Sequence, residues 1–160
     1  MSKKILITGG AGYIGQVLTP MLLEKGYQVV IIDKLIFGQK PYEDKKNFKF
    51  INGDVRDYTL IKKILEGNNF DVVIPLAALV GAPICSKFVS EAEEINYKSC
   101  NFLFDNLDKS TKIILPVSNS GYGIAEHDKP CTEESPLNPI SVYGVTKVKS
   151  ENSLIKRGNY

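Results

Sequence analysis

The chain has 160 residues, 43% of them hydrophobic, and a formal net charge of +2, enough apolar material for one buried core. Its 20 Lys and Arg are spread along the chain and form no run, which argues against nucleic-acid or anionic-membrane partners. The longest apolar stretches, residues 29–32 and 72–79, fall far short of the roughly 20 residues of a membrane helix. With no apolar leader before the first strand, a cytoplasmic location is expected. Cys85, Cys100 and Cys131 are scattered, odd in number and lack zinc-ligand spacing, so they are expected to be reduced thiols and no metal site is expected.

Short β-branched runs alternate with longer amphipathic segments, the pattern of a doubly wound α/β sheet. Strand one is predicted at 4–8 and a helix at 13–25, ended by Gly26; strand two follows at 28–32. After a polar connection through Gly38 and Pro41, strand three is predicted at 48–51 and a short helix at 60–66, ended by Asn68-Asn69. Strand four is predicted at 71–77, a long helix at 91–108 and strand five at 112–117. Pro75 and Pro116 fall within the last two strands. Lacking an N–H, each is expected at a strand end or where that donor has no partner. A turn-rich loop at 124–140 leads to a last helix at 142–156. No repeat, low-complexity tract or linker divides the chain, so residues 1–160 are expected to form one domain.

Between strand one and the first helix lies Thr8-Gly9-Gly10-Ala11-Gly12-Tyr13-Ile14-Gly15. Glycines there allow a tight turn and let backbone N–H groups approach a pyrophosphate, to which the helix N-terminus adds partial positive charge. Asp33 closes strand two where a carboxylate can accept hydrogen bonds from an adenosine ribose, and its charge repels a 2′-phosphate. That favours NAD over NADP. Lys34 works the other way, since a cation beside the ribose could partly accommodate a phosphate. In Gly53-Asp54-Val55-Arg56-Asp57, after strand three, a carboxylate can accept the adenine amino hydrogens and an apolar neighbour can pack on the ring.

Tyr143 and Lys147 stand four residues apart on the last predicted helix and share one face. A cation near a phenol favours the phenolate, which would let the tyrosine serve as a base. The pair follows strand five, which leads into Ser118-Asn119-Ser120-Gly121-Tyr122-Gly123 at the carboxyl edge, where open sheets bind ligands.

Together the glycine loop, Asp33, Gly53-Asp54, Leu76-Ala77-Ala78, Asn96, Ser118 with Tyr122-Gly123, and Tyr143/Lys147 resemble extended short-chain dehydrogenases of the NAD-dependent sugar epimerase/dehydratase family. The resemblance implies a Rossmann-type doubly wound parallel sheet of order 3-2-1-4-5, here without the last strands and the substrate domain, so the chain reads as a truncated NAD-binding half. It implies that Gly9, Gly12, Tyr13, Ile14 and Gly15 hold the pyrophosphate of NAD. Asp33 and Lys34 would lie at the adenosine ribose, Asp54 and Val55 at adenine, and Leu76, Ala77, Ala78 and Val80 along the cofactor. Asn96 would order this region, and Lys147 would also bond the nicotinamide ribose. Tyr143 would be the base and Ser118 the partner of the sugar hydroxyl, with Asn119 and Ser120 beside the substrate.

The implied reaction is oxidation of a nucleotide-activated sugar at C4, completed as epimerase or dehydrogenase. The 4,6-dehydratases of the family carry an acid and a base directly after the serine or threonine, where this chain has Asn119 and Ser120, so dehydration is less favoured. Pro75 replaces a common histidine and Val80 replaces a lysine of some C4 epimerases. The segments 75–83 and 119–123 most resemble capsule-type nucleotide-sugar C4 oxidoreductases, including those acting on GDP-heptose. The family also implies a homodimer through the helices bearing Asn96 and Tyr143. A non-catalytic NAD-binding regulator and an inactive fragment are the competing readings. His127 lies in a polar loop without a partner, and Tyr97, Phe102 and Phe104 are expected to pack.

Overall fold

The computed structural model describes residues 2–38, 45–124 and 130–158. Five parallel strands, β1 (Lys4–Thr8), β2 (Gln28–Asp33), β3 (Phe48–Asn52), β4 (Val72–Pro75) and β5 (Lys112–Ile113), run in the order β3-β2-β1-β4-β5. This is the predicted Rossmann order, and it reverses between β1 and β4, which opens a crevice at the strands' carboxyl ends.

The alternation of residues along the strands divides the apolar core into two faces. Ile5, Ile7, Val29, Ile31 and Ile74 point to one face, where Leu18, Leu22 and Leu23 of α1 (Tyr13–Glu24) cover them. Leu6, Val30, Ile32 and Val73 point to the other and meet Ile61 and Ile64 of α2 (Tyr58–Glu66) and Leu103 of α5 (Ser99–Asn106). Beside them, Cys100, Phe104, Ile113 and Leu154 tie α5 and β5 to α6 (Val142–Arg157).

Local chemistry sets the helix ends. Asp57 caps α2 by accepting from Leu60 N at 2.9 Å, so the helix starts two residues before the predicted Leu60, and it ends at Gly67 before the expected Asn68-Asn69. Ser141 caps α6 through Gly144 N at 3.0 Å, and Gly158, in the left-handed region, closes it.

Two expectations need correction. Strand β5 is only Lys112–Ile113 rather than 112–117. The last ladder bond on this side is Ile114 N–H to Val73 O, and the next donor from β4 would be Pro75, which has no N–H; Pro116 lies outside any strand. Pro75, the last residue of β4, lies where a missing donor is tolerated, as expected. The single helix predicted at 91–108 is a broken series: α3 (Ala82–Lys87), α4 (Val89–Glu93), a π-helical turn (Glu94–Lys98) and α5. Gly81, at φ +100°, and Pro83 in the first turn start α3 early, and Phe88, with non-helical φ and ψ, separates it from α4. Among the described residues no helix is long and apolar enough to cross a membrane.

Candidate functional site

The glycine loop wraps the end of β1. Gly9 adopts φ +69°, and a Cβ there would lie 2.6 Å from the backbone N of Ala77. This is a left-handed conformation and a contact that only glycine permits. The close approach brings the segment after β4 against the loop, and Ala77 N–H also donates to Thr8 Oγ1 at 3.3 Å. Gly12 is the N-cap of α1 and supplies no side-chain cap, so the leading N–H groups of the helix have no side-chain acceptor there. Gly15 is buried in the first turn, whereas Tyr13 is 94% exposed and Ile14 is also exposed, which leaves this helix end open to a ligand.

Asp33, the last residue of β2, is anchored to this loop. Its Oδ2 accepts from Ala11 N at 2.9 Å and its Oδ1 from Leu35 N at 2.8 Å. Each oxygen keeps one lone pair for a ribose hydroxyl. Among the described residues Leu35 is the non-glycine residue at positive φ, +57°, a strained conformation of the kind that clusters at ligand-binding turns. The sequence offers no signal for it.

At the end of β3, Asp54 is fully engaged. Its Oδ1 accepts from Arg56 N and Arg56 Nε, both at 3.0 Å. Its Oδ2 accepts from Arg56 Nη2 at 2.6 Å and from Lys34 Nζ at 2.9 Å. The Arg56 guanidinium chiefly, aided by its backbone N–H and by Lys34, holds the Asp54 carboxyl well below the usual carboxylate range against the opposing effect of burial. Sequence reading assigned Arg56 no part in the site; a basic residue two positions after an aspartate in a turn was the available signal. Val55, half-buried beside it, lines a small cavity with Thr8, Pro75 and Cys100.

Leu76, Ala77 and Ala78 are half-buried and Val80 is exposed. Asn96, 1% exposed within the π-helical turn, fixes this segment: its Oδ1 accepts from Leu79 N at 2.8 Å and its Nδ2 donates to Leu79 O at 2.9 Å. The carboxamide also donates to Thr146 Oγ1 at 3.2 Å, and Ser150 Oγ donates to Asn96 O at 2.6 Å. One residue therefore ties the segment after β4 to α6, which carries Tyr143 and Lys147.

Ser118 lies just before a 3₁₀ turn (Asn119–Gly121), where its Oγ donates to Ser120 Oγ at 3.0 Å and accepts from Ser120 N at 3.3 Å. Asn119 is exposed and Ser120 half-buried. Gly144 lets α6 meet this turn, since a Cβ would fall 2.5 Å from Ser120 O. The half-buried Tyr143 is thereby next in sequence to the contact between the two elements. Lys147, one helical turn further, is 7% exposed, and among the described residues no hydrogen bond or salt bridge reaches its Nζ. Burial lowers its pKa from the ordinary lysine value, partly offset by the fields of Cys100 and Glu151. Thr19 Oγ1, not Lys147 Nζ, is the fully buried polar side-chain atom without a partner among the described residues, so the ammonium at the end of this largely buried side chain keeps an opening through which a polar ligand could reach it.

Cys85 and Cys100 are buried and Cys131 exposed, all as free thiols. Phe104 is core, Phe102 stacks on Tyr58 with centroids 4.4 Å apart, and Tyr97 lies under Lys149 at 5.4 Å, so these aromatics pack as expected. His127 and Pro41 lie outside the described residues. Among the described residues no cluster of three or more His, Cys, Asp or Glu could hold a metal.

An open glycine loop, an anchored carboxylate after β2 and the crevice between β1 and β4 define a Rossmann-type dinucleotide-binding fold. Residues 5–158 match the NAD dependent epimerase/dehydratase family, and the chain belongs to it. A UDP-glucose 4-epimerase of Lactobacillus helveticus is 35% identical over 150 residues, covering 92% of this chain and 45% of that protein. The Bordetella bronchiseptica enzyme WbmH, solved in complex with NAD+, superposes with a TM-score of 0.87 at 26% identity, over 99% of this chain and 54% of that one. The UDP-glucose 4-epimerase of Thermotoga maritima, solved with UDP-glucose, gives a TM-score of 0.86 at 26% identity, over 96% and 50%. The chain thus spans about half the length of these relatives. The family's cofactor is NAD.

Proposed function

We propose that this chain provides the NAD-binding half and the catalytic Ser118, Tyr143 and Lys147 of an enzyme that oxidises a nucleotide-activated sugar at C4. The observation that carries this reading is Lys147, largely buried yet with no hydrogen bond or salt bridge to its Nζ among the described residues, one turn from Tyr143 on a helix packed against the Ser118 turn. A non-catalytic cofactor sensor has no use for such a group.

The residues present fit the dinucleotide. Gly9, Gly12, Tyr13, Ile14 and Gly15 offer an uncapped helix end to a pyrophosphate. Asp33 retains acceptor capacity for ribose hydroxyls, with Lys34 at its side. Asp54 and Val55 lie toward adenine, and Leu76, Ala77, Ala78 and Val80, held by Asn96, border the remainder. The NAD that these residues would hold would supply the acceptor for hydride from the sugar carbon. Tyr143 takes the proton of the C4 hydroxyl, Lys147 supports its phenolate and holds a ribose hydroxyl, and Ser118 donates a hydrogen bond to the sugar oxygen. Asn119 and Ser120 offer amide and hydroxyl contacts to the substrate but no carboxylate for dehydration.

Epimerisation of a UDP-hexose is the first reaction to test, because such activities name the relatives; the segments 75–83 and 119–123 make a GDP-heptose the second. We also assign the protein to the cytoplasm. It is proposed to form a homodimer through the helices bearing Asn96 and Tyr143, where Val89 and Val145 expose apolar surface.

A full-length version of the enzyme, incubated with NAD and each nucleotide sugar, is expected to yield a 4-keto product or the C4 epimer, read by NMR, whereas the 160-residue chain is expected to bind NAD weakly and turn over no sugar. Binding of NAD without any change in either sugar would leave the cofactor-sensing alternative standing. Sedimentation equilibrium tests the dimer.

A further inference from the structure

Gln16, the fourth residue of α1, stands out in no sequence pattern and is exposed. Its side chain nonetheless turns back along the helix, and Nε2 donates to the carbonyl of Ala11 in the glycine loop at 2.9 Å. The same peptide unit is held at its other end, where Gly12 N–H donates to Gly9 O at 3.0 Å. One peptide earlier, Ala11 N–H donates to Asp33 Oδ2 at 2.9 Å, and Ala11 itself is fully buried.

We propose that Gln16 is a positioning residue for the dinucleotide pyrophosphate, locking the Ala11–Gly12 peptide with its carbonyl turned to the side of α1 and away from the phosphates. This rests on the dinucleotide reading of the site.

Little else sets the orientation of that peptide. Gly12 has no Cβ, so the peptide before it rotates at small steric cost. Asp33 grips the preceding peptide unit and does not reach this one. If the peptide turned over, Gly12 N–H would leave Gly9 O, and the Ala11 carbonyl would be freed to face the uncapped end of α1. An oxygen there opposes the partial positive charge that favours an anion at a helix N-terminus. A carboxamide suits the task, because it is neutral, carries a donor and spans the distance back to the loop. A carboxylate of the same shape would repel both the carbonyl and the phosphates. Because Gln16 is exposed, its replacement should leave folding nearly unchanged, so an effect on binding separates from one on stability.

The test is titration of NAD into the purified chain, with affinity read from amide chemical shifts, which reach weak binding. Gln16→Met keeps the length and loses the donor, and is expected to lower NAD affinity about threefold at an unchanged thermal midpoint. Gln16→Glu is expected to lower it about tenfold at neutral pH, since a carboxylate cannot donate to Ala11 O and adds a charge facing the phosphates. As pH falls toward the ordinary glutamate value near ~4.3, that carboxyl regains a proton to donate, and the gap to the parent should narrow steadily. The parent shares Asp33, so the comparison cancels the titration of that group. Parent-like affinity in Gln16→Met would overturn the lock, leaving charge alone to explain the glutamate variant. A Gln16→Glu deficit that persists unchanged in acid would also overturn it, as would a midpoint that falls in step with affinity. A parent chain that binds no NAD would instead overturn the dinucleotide reading, and the lock with it.

Discussion

The two ends of the crevice handle charge in opposite ways. At the adenosine end, Asp33 is held by two backbone N–H groups and Asp54 by Lys34 and Arg56, so the charged groups meet partners within the chain. At the catalytic end, Lys147 is largely buried and no hydrogen bond or salt bridge reaches its Nζ among the described residues. The first end is satisfied before a ligand arrives and can afford to be rigid. The second keeps an unsatisfied group where the ligand must react, trading stability for function.

The sharpest way to break this contrast is at the reacting group. Tyr143→Phe removes only the hydroxyl and is expected to lower turnover of a nucleotide sugar about 10²–10⁴-fold, with NAD binding retained in a calorimetric titration. Loss of NAD binding in that variant would argue against its role as the base.

Next in size is the tie between the segment after β4 and α6. Asn96→Leu leaves Leu79 N without its partner and Leu79 O with only the Cys85 thiol, and is expected to cost about 1–3 kcal/mol in urea unfolding, as a buried unsatisfied group does. A near-zero change would mean that the segment is held by other contacts.

Lys147→Met is expected to act in the opposite direction. It removes a buried charge, so the thermal midpoint should rise by about 2–4 °C for each kcal/mol recovered, while turnover is lost. The pH dependence follows from linkage. Burial lowers the folded pKa of Lys147, so the unfolded chain binds the proton more tightly and the charge is a penalty at neutral pH. That penalty fades as pH climbs from the folded pKa toward the ordinary lysine value near ~10.4, and the advantage of the methionine variant should shrink over the same range. A lower midpoint at neutral pH would refute the contrast.

The smallest effect is at the satisfied end. The Asp54 carboxyl is depressed by Arg56 and Lys34, so its stabilisation is complete above the unfolded value near ~3.9 and is lost as pH falls through the folded one. Asp54→Asn should cost about 0.5–1 kcal/mol at neutral pH, and the difference from the parent should disappear only in strong acid.

The parts of the fold that were legible are those governed by local pattern. β1 and the start of α1 are where the short apolar run and the glycine loop place them, and the strand order follows from the family resemblance. The failures have tertiary causes. β5 ends early because Pro75 on its partner lacks the next ladder donor, and the helix around Asn96 is broken by Gly81, by Phe88 and by a π-helical turn whose hydrogen bonds reach other elements. In the site, Asp33, Tyr143 and Lys147 stood out because their spacing to neighbouring elements is fixed. The grip of Arg56 on Asp54 did not, because it depends on a turn conformation and side-chain rotamers that no periodicity reports.

The carboxamide of Asn96 binds Leu79 as a neighbouring strand would, offering one acceptor to its N–H and one donor to its carbonyl. Leu79 belongs to no strand or helix, yet its amide proton can escape to solvent only when the π-helical turn and α6 loosen together. In hydrogen–deuterium exchange this loop amide should persist with the slow protons of the core, while its exposed neighbour Val80 exchanges at once.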